Sequence, residues 1–110
     1  MLDLKTISAI SGATAVLLGA FGEHGLKNRI TPQQMQSFKV ASNYHLIHSV
    51  VALFAAHTNS PFACKLLLSG TFLFSGSIYV LAINGGPKFL GPMTPVGGLL
   101  MISGWLSLAF

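Results

Sequence analysis

The chain has 110 residues, of which 52% are apolar and only 7% charged, with a net charge of +4 and a mean hydropathy of +0.69. Soluble domains carry roughly 25% charge, and a chain this short buries only about 60% of its unfolded surface, so a water-soluble globule is excluded and the apolar surplus must face lipid. Disorder and a disulfide scaffold are excluded too, by the hydrophobicity and by Cys64 being the one cysteine.

The charges stand singly, unlike the clustered Lys and Arg of a nucleic-acid face. They separate four uncharged runs, Thr6–Gly22, Val40–Cys64, Leu66–Pro87 and Phe89–Phe110, of 17, 25, 22 and 22 residues. A hydrocarbon core about 30 Å thick needs about 20 residues of helix. The expectation is therefore an all-α, membrane-embedded four-helix bundle of up-down topology, a single integral membrane domain over residues 1–110.

The first helix is predicted over residues 6–22, stopped by Gly22 and Gly25. Its charged start and small residues near Ala20 resemble a leader peptide. Ser8, Ser11, Gly12 and Gly19 suit helix packing better, and Ser11, Ala15 and Gly19 form a stripe of small residues at four-residue spacing. Beyond its exit, Glu23 beside His24 could exchange a proton or pair with Lys27 or Arg29. The plainer account is that imidazole and cations complement a helix C-terminus.

The second helix is predicted over residues 32–57. Thr31 precedes Pro32 and has Gln34 three residues on, a capping box with proline at the first helical position. Thr58-Asn59 supplies the stop. At about 1.5 Å per residue it reaches about 39 Å, so its first turns should project beyond the hydrocarbon, with Gln33, Gln34, Gln36, Ser37 and Lys39 in a headgroup setting and Met35 and Phe38 on the apolar boundary. His45 and His48 stand three apart with Tyr44 and Asn43 in the same turns, making one polar stripe. The bland account of Tyr44, His45 and His48 is hydrogen bonding across the bundle; the alternatives are axial haem ligation, a metal, or a proton relay. Two histidines without a carboxylate or third ligand are a weak metal signal.

The third helix is predicted over residues 61–83, opened by Ser60-Pro61 and closed by Asn84-Gly85-Gly86-Pro87. Gly70, Ser75, Gly76 and Ser77 offer it a small-residue face. The fourth is predicted over residues 95–108, opened by Thr94-Pro95, with Gly97, Gly98 and Gly104 for packing. It is short for a crossing, about 24 Å, so the bilayer must thin or the Phe89–Met93 segment must dip. Cys64 beside Lys65 is read as a packing residue. Four basic residues (Lys27, Arg29, Lys39 and Lys88) flank the first and third connections against two (Lys5 and Lys65) on the other side, which favours those connections in the cytoplasm or matrix.

The strings Gly19-Ala20-Phe21-Gly22-Glu23-His24-Gly25-Leu26, Tyr44-His45-Leu46-Ile47-His48-Ser49, Leu73-Phe74-Ser75-Gly76-Ser77-Ile78-Tyr79 and Leu90-Gly91-Pro92-Met93-Thr94-Pro95-Val96-Gly97-Gly98, with Gly104-Trp105 following, resemble the YgdD or transmembrane-protein-256-type family, also called domain of unknown function 423. The resemblance implies a small multi-pass topology and no established reaction, and the Tyr44 to Ser49 form implies a mitochondrial inner membrane. With no nucleotide motif and no nucleophile paired to a base, no catalytic residue, cofactor or metal is expected. The expected role is an accessory or assembly subunit of a larger membrane complex, with bound lipid. The alternatives are a small-solute, ion or lipid transporter, with proton-coupled cation export disfavoured because Asp3 and Glu23 lie at run ends, and a His-ligated haem or quinone-associated protein.

Overall fold

In the computed structural model, residues 3–84 and 89–110 are described, Asn84 by its backbone alone. The predicted turn at residues 85–87 and Lys88 lie outside these residues. Four helices follow one another: α1 (Leu4–Leu26), α2 (Pro32–His57), α3 (Pro61–Asn84) and α4 (Leu90–Ala109). Each packs chiefly on its neighbour in sequence, α3 on α4 most extensively, and α1 meets α3 only sparsely. The result is a helical membrane bundle with dimensions of 43 × 26 × 24 Å.

Local chemistry explains the helix ends. Asp3 caps α1, its Oδ1 accepting from the Thr6 N–H at 2.8 Å, so the helix starts before the predicted Thr6. At α2 both halves of the capping box form: Gln34 N–H donates to Thr31 Oγ1 at 3.1 Å and Thr31 N–H to Gln34 Oε1 at 2.7 Å. Asn59 closes α2 in the left-handed region, at φ 57°, while Ser60 N–H reaches the Ala55 carbonyl at 2.8 Å. That is a Schellman-type stop built on asparagine rather than glycine.

Two further predicted boundaries are corrected. Helix α1 does not stop at Gly22 but passes through a π-helical turn, Leu18–Gly22, and continues to Leu26. A Cβ at Gly22 would lie 2.5 Å from Phe38 Cζ, so this glycine seats an aromatic ring rather than ending a helix. Phe38 itself is fully buried. Helix α4 begins at Leu90, leaving Pro95 inside it. Pro95 removes only the bond to the Gly91 carbonyl in an early turn. The added residues make α4 20 residues long, about 30 Å, so thinning is not required.

Three helices, α1, α3 and α4, are long and apolar enough to cross a membrane. Helix α2 is long enough but more polar, for a structural reason. It buries Ser42, His45, His48 and Ser49 against its neighbours, so groups that lower its hydropathy are withdrawn from lipid.

Hydrogen bonding to the Thr6 backbone N–H, and then to its side chain, holds the exposed Asp3 carboxyl below its ordinary value of 3.8. A depressed carboxylate contributes stability that is present above the unfolded pKa and lost as pH falls through the folded one. The wild type should therefore lose thermal stability as pH falls through and below 3.8, whereas Asp3→Asn, which still caps but cannot titrate, should show a shallower loss. Identical acid profiles of the two proteins would refute this role.

Candidate functional site

The polar side chains of α2 do not form one stripe but feed two separate networks. At 3.6 residues per turn, positions three apart differ by about 60° around the axis, enough to address different neighbours. His45 is directed at α1 and α3, His48 at α4.

Counting protons fixes the direction of every bond around His45. Ser49 Oγ donates its one proton to the His45 carbonyl at 2.7 Å. In the 2.6 Å contact between Ser11 and Ser49, Ser11 must then be the donor. Ser11 can therefore only accept from His45 Nε2, at 3.2 Å, which places the imidazole proton on Nε2. His45 Nδ1 is left with a lone pair and accepts from the Tyr79 hydroxyl at 2.9 Å. The chain runs from Tyr79 through His45, Ser11 and Ser49 to a backbone carbonyl. It ties three helices together and ends on an acceptor that cannot pass a proton on.

His48 is locked with the opposite tautomer. Trp105 Nε1–H, a donor only, reaches His48 Nε2 at 3.0 Å, so that nitrogen carries a lone pair. Nδ1 must carry the proton it gives to the Tyr44 carbonyl at 2.8 Å. The Tyr44 ring stacks on the imidazole at 5.7 Å and 8°, and the Trp105 ring meets it edge-on at 6.0 Å and 85°. Both ring nitrogens are committed to the protein, so a haem iron or metal at Nε2 would have to displace Trp105. Among the described residues no three His, Cys, Asp or Glu side chains converge.

The remaining predicted residues divide clearly. Glu23 and His24 lie in the last turns of α1, remote in sequence register from the Ser11 level, with Glu23 half-buried and His24 exposed. Ala15 is buried, and Gly19 lies where a Cβ would touch Ser42 Cβ at 3.9 Å, so the small stripe of α1 packs on α2. Ser11, read as a packing residue, is also a hydrogen-bonding one. Gly97 and Gly104 permit close approach of α4 to α3: a Cβ on Gly97 would run into Phe74 N and sit 2.7 Å from the Gly70 carbonyl oxygen, and one on Gly104 would sit 2.6 Å from Leu67 Cγ. Gly98 makes only ordinary contact with Phe74, and Gly76 has nothing within 4 Å, so its assignment to helix packing is corrected.

Sequence reasoning missed Ser42, Ser49, Tyr79 and Trp105 as site residues. Ser42 Oγ is buried without a hydrogen-bond partner. Thr94, read as a cap, instead bonds across to α3: Ser77 Oγ gives its proton to the Phe74 carbonyl, so Thr94 donates to Ser77 at 2.6 Å. A hydroxyl at helical spacing on two apolar helices was the only available signal, and it does not name a partner.

Four helices joined by interior hydrogen bonds, three of them apolar enough to cross a membrane, define a multi-pass helical membrane protein. The family model described as "Protein of unknown function (DUF423)" matches residues 18–98. The chain is similar to a UPF0382 membrane protein of Schizosaccharomyces pombe, 37% identical and covering 97% of this chain and 98% of that protein. It is also similar to UPF0382 membrane proteins of Staphylococcus haemolyticus (37% identical, 93% and 88% covered) and Bacillus subtilis (36%, 91% and 87%). The chain belongs to the DUF423 family of membrane proteins. No solved structure matches it.

Proposed function

We propose that this protein is a non-enzymatic accessory or assembly subunit of a larger membrane complex, respiratory where the membrane is mitochondrial. The observation that carries this reading is the commitment of both nitrogens of His45 and His48 to protein partners, which gives the chemically capable residues a cohesive role. Glu23 and Asp3 lie at the ends of α1, away from the interior position a proton-coupled cation exporter needs for its carboxylate. The mitochondrial inner membrane is the proposed location in a eukaryotic cell, in keeping with relatives in both a yeast and bacteria. The basic residues Lys27, Arg29, Lys39 and Lys88, set against Lys5 and Lys65 on the other face, favour the first and third connections on the matrix or cytoplasmic side.

Native electrophoresis in gentle detergent, followed by mass spectrometry, tests the subunit reading. The expected result is migration within an assembly several times the 11.6 kDa of the chain, with defined companions. Migration alone in every detergent tried would overturn it.

A further inference from the structure

Between α1 and α3, where those helices barely touch, lies a cleft of about 370 Å³. That is within the roughly 300–1,000 Å³ range of small-molecule sites. Its lining is mainly apolar; the polar side chains that open onto it are Ser11, Thr14 and Tyr79, while His45, Thr71 and Ser75 stand behind them, buried. These residues stand about 10–27 Å along their helices at 1.5 Å per residue, inside the hydrocarbon zone. At its mouth stand Ile7 and Phe72, the latter 77% exposed.

The protons on this wall are all spent. Thr14 donates to the Ile10 carbonyl at 2.8 Å, Thr71 to that of Leu67 at 2.6 Å and Ser75 to that of Ala41 at 2.8 Å. Tyr79 donates to His45, His45 to Ser11, and Ser11 to Ser49. What the hydroxyl oxygens retain is lone pairs, since each can accept as well as donate. Through Ser11, Thr14 and Tyr79 the cleft thus presents acceptors without free donors. No charged side chain lines it. An ionised headgroup at this depth would lack a counter-charge and pay heavily for lost hydration.

We infer that the α1–α3 cleft binds a neutral amphiphile whose head carries hydroxyl donors, its chain leaving past Ile7 and Phe72 into the bilayer. The shared chemistry admits an acylglycerol or a lipid-soluble hydroquinone. It excludes a quinone, whose head offers only acceptors where the cleft's accessible hydroxyls also only accept. This inference is independent of the accessory role, since a subunit or a solitary protein could hold such a lipid.

The test uses full-length protein in phosphatidylcholine vesicles doped with a diazirine-bearing diacylglycerol, or with the same probe capped as its O-methyl ether. After photolysis, peptides are mapped by mass spectrometry. Labelling should concentrate on the Ser11–Leu18 and Leu68–Tyr79 stretches, and the free hydroxyl should be favoured about five-fold, the worth of one net hydrogen bond. Gly76→Leu, whose side chain enters open space, should cut that labelling at least five-fold. Competition by unlabelled monoacylglycerol or by a prenylated hydroquinone then separates the two sources. Equal labelling by hydroxyl and ether probes, or labelling spread evenly over all four helices, would overturn the inference. The hydroxyl-against-ether comparison is made on the wild type and stands even if Gly76→Leu does not fold.

Discussion

Gly97→Ala should separate α3 from α4 and cost about 3 kcal/mol, the upper part of the range for overpacking a filled interior. The added methyl would meet backbone atoms, Phe74 N and the Gly70 carbonyl oxygen, which cannot swing aside as a side chain can. The helix axes must move apart. The Ser77–Thr94 hydrogen bond and the seats of Met101 against Gly70 and of Leu67 against Gly104 would be loosened together. Detergent unfolding followed by the emission of Trp105, the single tryptophan, reads this directly. Gly98→Ala is the paired control. One residue away, its methyl meets Phe74 Cδ1 only at 3.8 Å, so it should be neutral or stabilising by up to about 1 kcal/mol through helix propensity. If the two variants unfold alike, tight backbone approach is not what joins these helices.

The second large effect is expected at His48. His48→Phe keeps a flat ring to stack on Tyr44 but leaves the Trp105 N–H without its acceptor, at a cost of about 1–2 kcal/mol. His48→Ala also removes the stack and should cost more, appearing as lower abundance in the membrane. A double-mutant cycle of His48→Phe with Trp105→Phe, read by thermal loss of helical circular dichroism, should show coupling. The pair should be less damaging than the sum, because removing both partners leaves no orphan donor. Strict additivity would dissolve the proposed bond. Normal abundance combined with an abolished cellular phenotype would point to a chemical rather than a cohesive role.

Much of the helical framework was legible in one dimension, because the devices that set it are local. Thr31, Pro32 and Gln34 specify the start of α2 within four residues, and Asn59 specifies its end with a single left-handed residue. The same rule misled at Thr94-Pro95. A hydroxyl before proline marks a helix start only where the preceding backbone is not already helical, and here α4 had begun at Leu90. Likewise Gly22 and Gly25 look like stops until Phe38 is brought against the first of them.

The site was legible in some of its members and not in its connections. Tyr44, His45, His48 and Ser11 stand out in an apolar sequence because polar groups in lipid must be satisfied internally. Yet His45 finds partners 34 positions away on both α1 and α3, and His48 finds Trp105 57 positions away.

Composition and spacing alone determined that this chain lives in lipid as consecutive helices, since solvent and helix length follow from hydropathy and from 1.5 Å per residue. Only the packed arrangement decided which hydroxyl meets which imidazole, which tautomer each histidine holds, and that α1 and α3 part to leave a cleft. Those outcomes depend on helix rotation and on contacts between segments far apart in sequence, which no local pattern encodes.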